Sequence, residues 1–126
     1  SYFFAIESLL VAPVSLLKFS HELYVSPVEA IIKSRAFGMI GDANAELNKN
    51  DEALNYYKKA AEVNTKDDYT SSEYLFRAAL FAQATGKSKE AIDLYKKIKS
   101  DYPLTEKAAN VDRYLAKLGE LSSSDT

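Results

Sequence analysis

Two stretches of this chain are nearly interchangeable, and they limit its fold more than any other feature. Glu52-Ala53-Leu54-Asn55-Tyr56-Tyr57-Lys58-Lys59 and Glu90-Ala91-Ile92-Asp93-Leu94-Tyr95-Lys96-Lys97 lie 38 residues apart and agree in residue type at nearly every position. A period of a few tens of residues marks stacked supersecondary units, because one such unit cannot bury its apolar face alone. The register extends backwards. Gly41 stands twelve residues before Ala53, and Ala79 twelve before Ala91. Phe37 and Ile40 precede Gly41 at helical spacing, and Leu75 and Ala78 precede Ala79 in the same way. Each unit therefore reads as a helix of small and apolar residues, a short turn, and a second helix carrying Ala and Tyr. Gly41 is expected to face Ala53, and Ala79 to face Ala91, so that paired backbones approach closely. All four should be buried at helix crossings, with Tyr57 and Tyr95 filling the space between units.

On these residues the chain resembles the tetratricopeptide repeat (TPR) family. Phe37, Ile40, Gly41, Ala53, Tyr57 and Ala60 follow its pattern in the first unit. Leu75, Ala78, Ala79, Ala91, Tyr95, Ile98 and Pro103 follow it in the second. The aromatic expected after the Gly is missing in both, as Asn44 and Ala82, and Thr65 stands where the first unit would carry Pro. The period exceeds the usual ~34 residues, with the surplus expected in the loop Asn64 to Tyr69. The resemblance covers Ser34 to Pro103. It implies an all-α, right-handed α-solenoid of stacked antiparallel helix pairs.

The expected domain is 1–119: a degenerate or partial repeat at 1–25, repeats at 27–64 and 71–103, and a capping helix at 105–118. Residues 120–126 form a short polar tail, expected to be disordered. Ser26-Pro27-Val28-Glu29 is a helix start, with Ser at the cap and Pro in the first turn. That helix should run to about Leu47, longer than a usual first repeat helix. Asp51 should cap the next helix. Thr70-Ser71-Ser72-Glu73 reads as a capping box. Gly86 and Gly119 should end helices. In the last helix Val111, Tyr114, Leu115 and Leu118 fall on one stripe, as the end of a solenoid requires.

Ser1 to Phe19 is the most apolar part. A spanning helix needs ~20 apolar residues with few charges, and here Glu7, Pro13 and Lys18 interrupt. Phe19 and Pro27 have the spacing of the repeat's aromatic and Pro, while Phe3 falls where the pattern wants a small residue. An uncovered apolar segment marks an association site, so the segment is expected either to fold back on the first repeat or to make the chain a dimer.

Chemistry is scarce. No cysteine is present, which removes disulfides, thiolate metal sites and a Cys nucleophile. His21 is the single histidine. Asp67-Asp68 lacks the spacing of a calcium loop. A net charge of −2 with interspersed signs is not that of a nucleic-acid binder. The chain is expected to be no enzyme and to need no cofactor and no metal.

Two functions of different classes remain: a protein-interaction scaffold binding a peptide or partner protein in a groove, and a structural docking subunit of a larger, membrane-associated assembly held through the apolar N-terminal segment. A lipid or small-molecule pocket under Tyr2 to Ile6 is a third. In the TPR family the first helix of each repeat lines the groove. The resemblance thus implies partner-binding positions at Arg35, Gly38, Asp42 and Glu46, then Glu73, Phe76, Leu80 and Gln83. Asp42 and Leu80 stand where the family's carboxylate clamp has Asn, so no such clamp is expected. More narrowly, Arg35 to Ala43 and Ile98-Lys99-Ser100-Asp101-Tyr102-Pro103 are similar to the C-terminal repeats of bacterial membrane-anchored TPR proteins, which resemble the ancillary, chaperone-associated subunit of the Sec translocon. That likeness implies a periplasmic, membrane-anchored protein; a cytoplasmic one is the alternative.

Overall fold

Ser26 opens the first helix: its hydroxyl accepts from the Glu29 amide at 3.2 Å, and Pro27 takes the first turn. The computed structural model describes residues 26–119. Those residues form five helices: α1 (Pro27–Glu46), α2 (Asn50–Glu62), α3 (Asp68–Ala84), α4 (Ser88–Asp101) and α5 (Glu106–Lys117). Each helix packs on the next through a loop of three to five residues, the arrangement of stacked helical hairpins. α3 also touches α1 and α5, so the pairs form one continuous stack. The regions expected at 1–25 and 120–126 lie outside the described residues. No described helix is long and apolar enough to cross a membrane.

The core is a column of alanines with tyrosines set between them. Ala53, Ala78, Ala79, Ala82 and Ala91 are fully buried, and Ala60 and Ala61 nearly so. Gly41 is buried as well, as the repeat register predicts. Its close neighbour is a ring, however: a Cβ at Gly41 would lie 2.7 Å from Tyr57 Cε1. Gly41 thus makes room for the tyrosine one turn beyond Ala53. Gly38 does the same for Tyr74, whose Cε1 would lie 2.7 Å from an added Cβ.

Two helix starts differ from expectation. α2 begins at Asn50 with Lys49 at its cap and no capping side chain. Asp51 sits in the first turn and pairs instead with Lys87 of the next hairpin loop. α3 begins three residues before Ser71. Asp67 caps it by accepting from the Thr70 amide at 3.1 Å. Ser71 is therefore inside the helix and buried; its hydroxyl reaches the carbonyls of Ala61 at 2.8 Å and Asn64 at 2.9 Å. The last carbonyls of a helix lack intrahelical partners, and Ser71 satisfies those at the end of α2. A capping reading of Thr70 to Glu73 misses this because the bond is tertiary. Gly86 and Gly119 have φ of 84° and 83°, left-handed values that glycine adopts without strain.

Candidate interaction surface

The first helices of the two hairpins, α1 and α3, carry the expected groove positions, and the structure sorts these into three groups. Arg35, Asp42 and Glu46 are exposed on α1, and Leu80 is 38% exposed on α3. Glu73 and Gln83 are half-buried and already engaged. Glu73 pairs with Lys107 of α5 at 3.4 Å, and Gln83 accepts from the Tyr95 hydroxyl at 2.8 Å. Phe76 and Gly38 are buried, so neither is the exposed groove position expected of it. Phe76 meets Tyr95 and Tyr114 edge-on at 6.0 and 5.1 Å between ring centroids, and Lys107 Nζ lies 4.7 Å from its centroid. Edge-to-face pairs at this separation are favourable beyond their buried area. Phe76 is thus part of the junction between the second hairpin and the terminal helix.

Asp42 has a local role too. It accepts from the Tyr57 hydroxyl at 2.6 Å. Burial, and then the Asp42 carboxylate, push the Tyr57 phenol well above its usual range. Burial also pushes Tyr95 up to about 12. Both rings stay neutral donors at physiological pH. Arg77, not anticipated from the sequence, is exposed and lies with its guanidinium carbon 5.0 Å from the Tyr74 ring centroid. A cation over a ring face is attracted by the ring quadrupole.

The most open apolar side chains near these positions are Tyr69, 77% exposed, and Leu104, 96% exposed. They flank a cleft of about 460 Å³ between the starts of α3 and α5, with Asp68, Glu73, Glu106 and Lys107 around it. Acids outnumber the one cation there, and that cation is paired with Glu73. Neither apolar residue was among the expected site residues. A signal existed: Leu104 follows Pro103 in a turn, where an apolar side chain has no helix stripe to join. A larger cleft of about 630 Å³ lies at the start of α4 and is rich in lysine. Its cations are largely matched: Lys58 pairs with Glu90, Lys87 with Asp51, and Lys97 with Asp101. It offers little free positive charge for an anion.

Among the described residues no group of three His, Cys, Asp or Glu is placed to hold a metal. The cleft between α3 and α5 presents exposed apolar side chains with a rim of carboxylates.

The tetratricopeptide repeat family matches residues 34–67 and again residues 73–105. The first match runs from Ser34 in α1 through α2, and the second from Glu73 in α3 through α4 to Thr105. No curated protein and no solved structure matches the chain significantly, so the narrower likeness to membrane-anchored repeat proteins gains no support. The two matches together span more than half of the 126 residues and coincide with the two hairpins, and the chain belongs to the tetratricopeptide repeat family.

Proposed function

We propose that this chain is a non-catalytic protein-interaction scaffold whose first-helix face takes an apolar, basic segment of a partner protein at the cleft between α3 and α5. Tetratricopeptide repeats suggest a protein-interaction role in general. One observation carries the finer reading: Tyr69 and Leu104 stand almost fully in solvent at the rim of an acid-bordered cleft. Side chains of this kind are costly to leave in water and serve as anchors when a partner covers them. Asp68 and Glu106 favour a partner with Lys or Arg beside its apolar residue. Leu80, Asp42, Glu46 and Arg35 extend the surface toward the first hairpin. With Asp42 and Leu80 at the clamp positions, a free C-terminal carboxylate is not what this face selects.

Peptides selected from a random library on the immobilised chain provide the test. The selected sequences should pair an aliphatic or aromatic residue with Lys or Arg. A Tyr69→Ala, Leu104→Ala double variant should keep its helical circular dichroism, since both side chains are exposed, and should bind those peptides about tenfold more weakly or worse. Unchanged affinity would place the binding surface elsewhere. The other reading, a docking subunit held through residues 1–25, concerns residues outside the described part.

A further inference from the structure

α1 is apolar on two opposite faces. One face carries Ala30, Ser34, Phe37, Gly38 and Gly41 and is buried or half-buried. The other carries Val28, Ile32, Ala36, Met39, Ala43 and Leu47, spaced four, four, three, four and four residues apart, and every one is exposed. At 3.6 residues per turn that spacing makes a single straight stripe running the length of the helix, about 28 Å at 1.5 Å per residue. Val28, Ile32, Met39 and Leu47 are between 62% and 70% exposed.

The internal repeat says what kind of element belongs on this stripe. Moving 38 residues along the chain carries Ala36, Met39 and Ala43 of the stripe onto Tyr74, Arg77 and Phe81 of α3. In α3 two of those positions are covered, Tyr74 at 8% exposed and Phe81 half-buried, while Arg77 is exposed with its guanidinium over the Tyr74 ring. The preceding helix, α2, covers the Phe81 end, while the Tyr74 ring lies against Gly38 of α1. The Phe81 ring meets Tyr57 of α2 at 5.5 Å, and Ser71 bonds to the Ala61 carbonyl. At its Ala43 end, the bare face of α1 is thus the face on which α3, at Phe81, receives the helix before it.

We propose that residues 1–25 of this same chain dock along the Val28–Leu47 stripe and cover α1 as α2 covers α3. The segment joins α1 at Ser26, whose backbone is extended (φ −61°, ψ 150°), so it is tethered at one end of the stripe. Every described helix packs on its neighbour in sequence through a short loop. Twenty-five residues are enough to run back along about 28 Å in any regular conformation. Their chemistry also fits: Phe3, Phe4, Ile6, Leu9, Leu10, Val11, Leu16, Leu17 and Phe19 supply apolar surface, with only Glu7, Lys18 and Glu22 charged. A second copy fits less well. The stripe offers six side chains, two of them Ala, whereas a stable dimer buries roughly 20–30 residues on each side.

The test uses the full chain at a concentration where light scattering gives a monomer mass. Lys18 is the sole Lys or Arg in 1–25, so trypsin reports on the segment there. Cleavage after Lys18 should be slow in the native chain and at least tenfold faster in an Ile32→Glu, Met39→Glu variant. The absence of native cysteine allows a second, independent reading from a nitroxide on Met39→Cys, whose motion should be restricted in the monomer. A monomer cut after Lys18 at the same rate in both forms, or a freely moving label, overturns the assignment. So does a label restricted only at concentrations where the chain dimerises, which would make a second copy the occupant.

Discussion

Tyr57 of the first hairpin and Tyr95 of the second occupy one place in the repeat, yet their rings are packed differently. Tyr57 lies against Gly41, meets Phe81 of the following hairpin edge-on, and donates to Asp42. Tyr95 lies between Phe76, at 6.0 Å, and Tyr114 of the terminal helix, nearly parallel at 5.4 Å, and donates to Gln83. Position 41 is Gly where its equivalent, 79, is Ala. The first ring can therefore press onto the backbone of α1. The repeat sets where each tyrosine begins; the residue beneath it and the element that follows set where its ring goes. The second hairpin thereby gains an aromatic cluster tying it to α5, while the first is joined onward through one ring pair, the Ser71 bonds, the Tyr74 ring against Gly38 and the Asp51–Lys87 and Lys58–Glu90 ion pairs.

The largest effect should come from removing the ring at the centre of that cluster. Tyr95→Ala leaves a cavity where a fully buried side chain stood and should cost about 3–5 kcal/mol in urea unfolding. A loss under about 2 kcal/mol would mean that the cluster does not hold α5 to the second hairpin.

A smaller effect separates the two hairpins directly. Ala is the better helix former by about 1 kcal/mol, so Gly41→Ala would stabilise an open helix. Here the new Cβ would lie 2.7 Å from a ring that is buried and hydrogen-bonded. Overpacking typically costs about 1–3 kcal/mol, which leaves a net loss of about 1 kcal/mol. A Gly41→Ala chain with a raised urea midpoint would show that Tyr57 shifts freely, and that the glycine is not what distinguishes the pairs.

A further effect is at alkaline pH. Tyr95 is pushed up to about 12 by burial, and Tyr57 is raised by burial and by Asp42. Above pH ~10 the unfolded chain releases these protons while the folded chain keeps them, so stability falls as pH rises. The contribution is fully present below pH ~10 and is lost through about 12 for Tyr95. Urea midpoints measured from pH 8 to 11 should decline, and Tyr95→Phe or Tyr57→Phe should each make the decline shallower. An identical slope in all three chains would contradict the burial of these hydroxyls.

Much of this architecture was legible beforehand. The recurrence of Ala53 and Tyr57 as Ala91 and Tyr95, with Gly41 and Ala79 twelve residues upstream, placed the hairpins and four of their buried small residues. The candidate surface was less legible. Arg35, Asp42, Glu46 and Leu80 are accessible as expected, but Phe76 had the register of a groove residue and is buried. Helical periodicity reports which side of α3 a residue lies on. It does not report whether Tyr114 and Lys107, some 30–40 residues later in the chain, will close over that side. Tyr69 and Leu104 were overlooked for another reason: Leu104 sits in a turn, where periodicity has no claim, and Tyr69 lies in the first turn of α3 and not in the preceding loop, where it was expected.

The sequence by itself determined the helical pairs, their order and the burial of the small residues at their crossings, because these depend on period and on residue size. The tertiary structure alone decided which apolar faces are used. Ser71 became a tether for the end of α2 instead of a cap, since the orphan carbonyls of Ala61 and Asn64 lay within its reach. α1 kept a second apolar face bare because burial is a property of neighbours, and no single helix carries that information in its own residues.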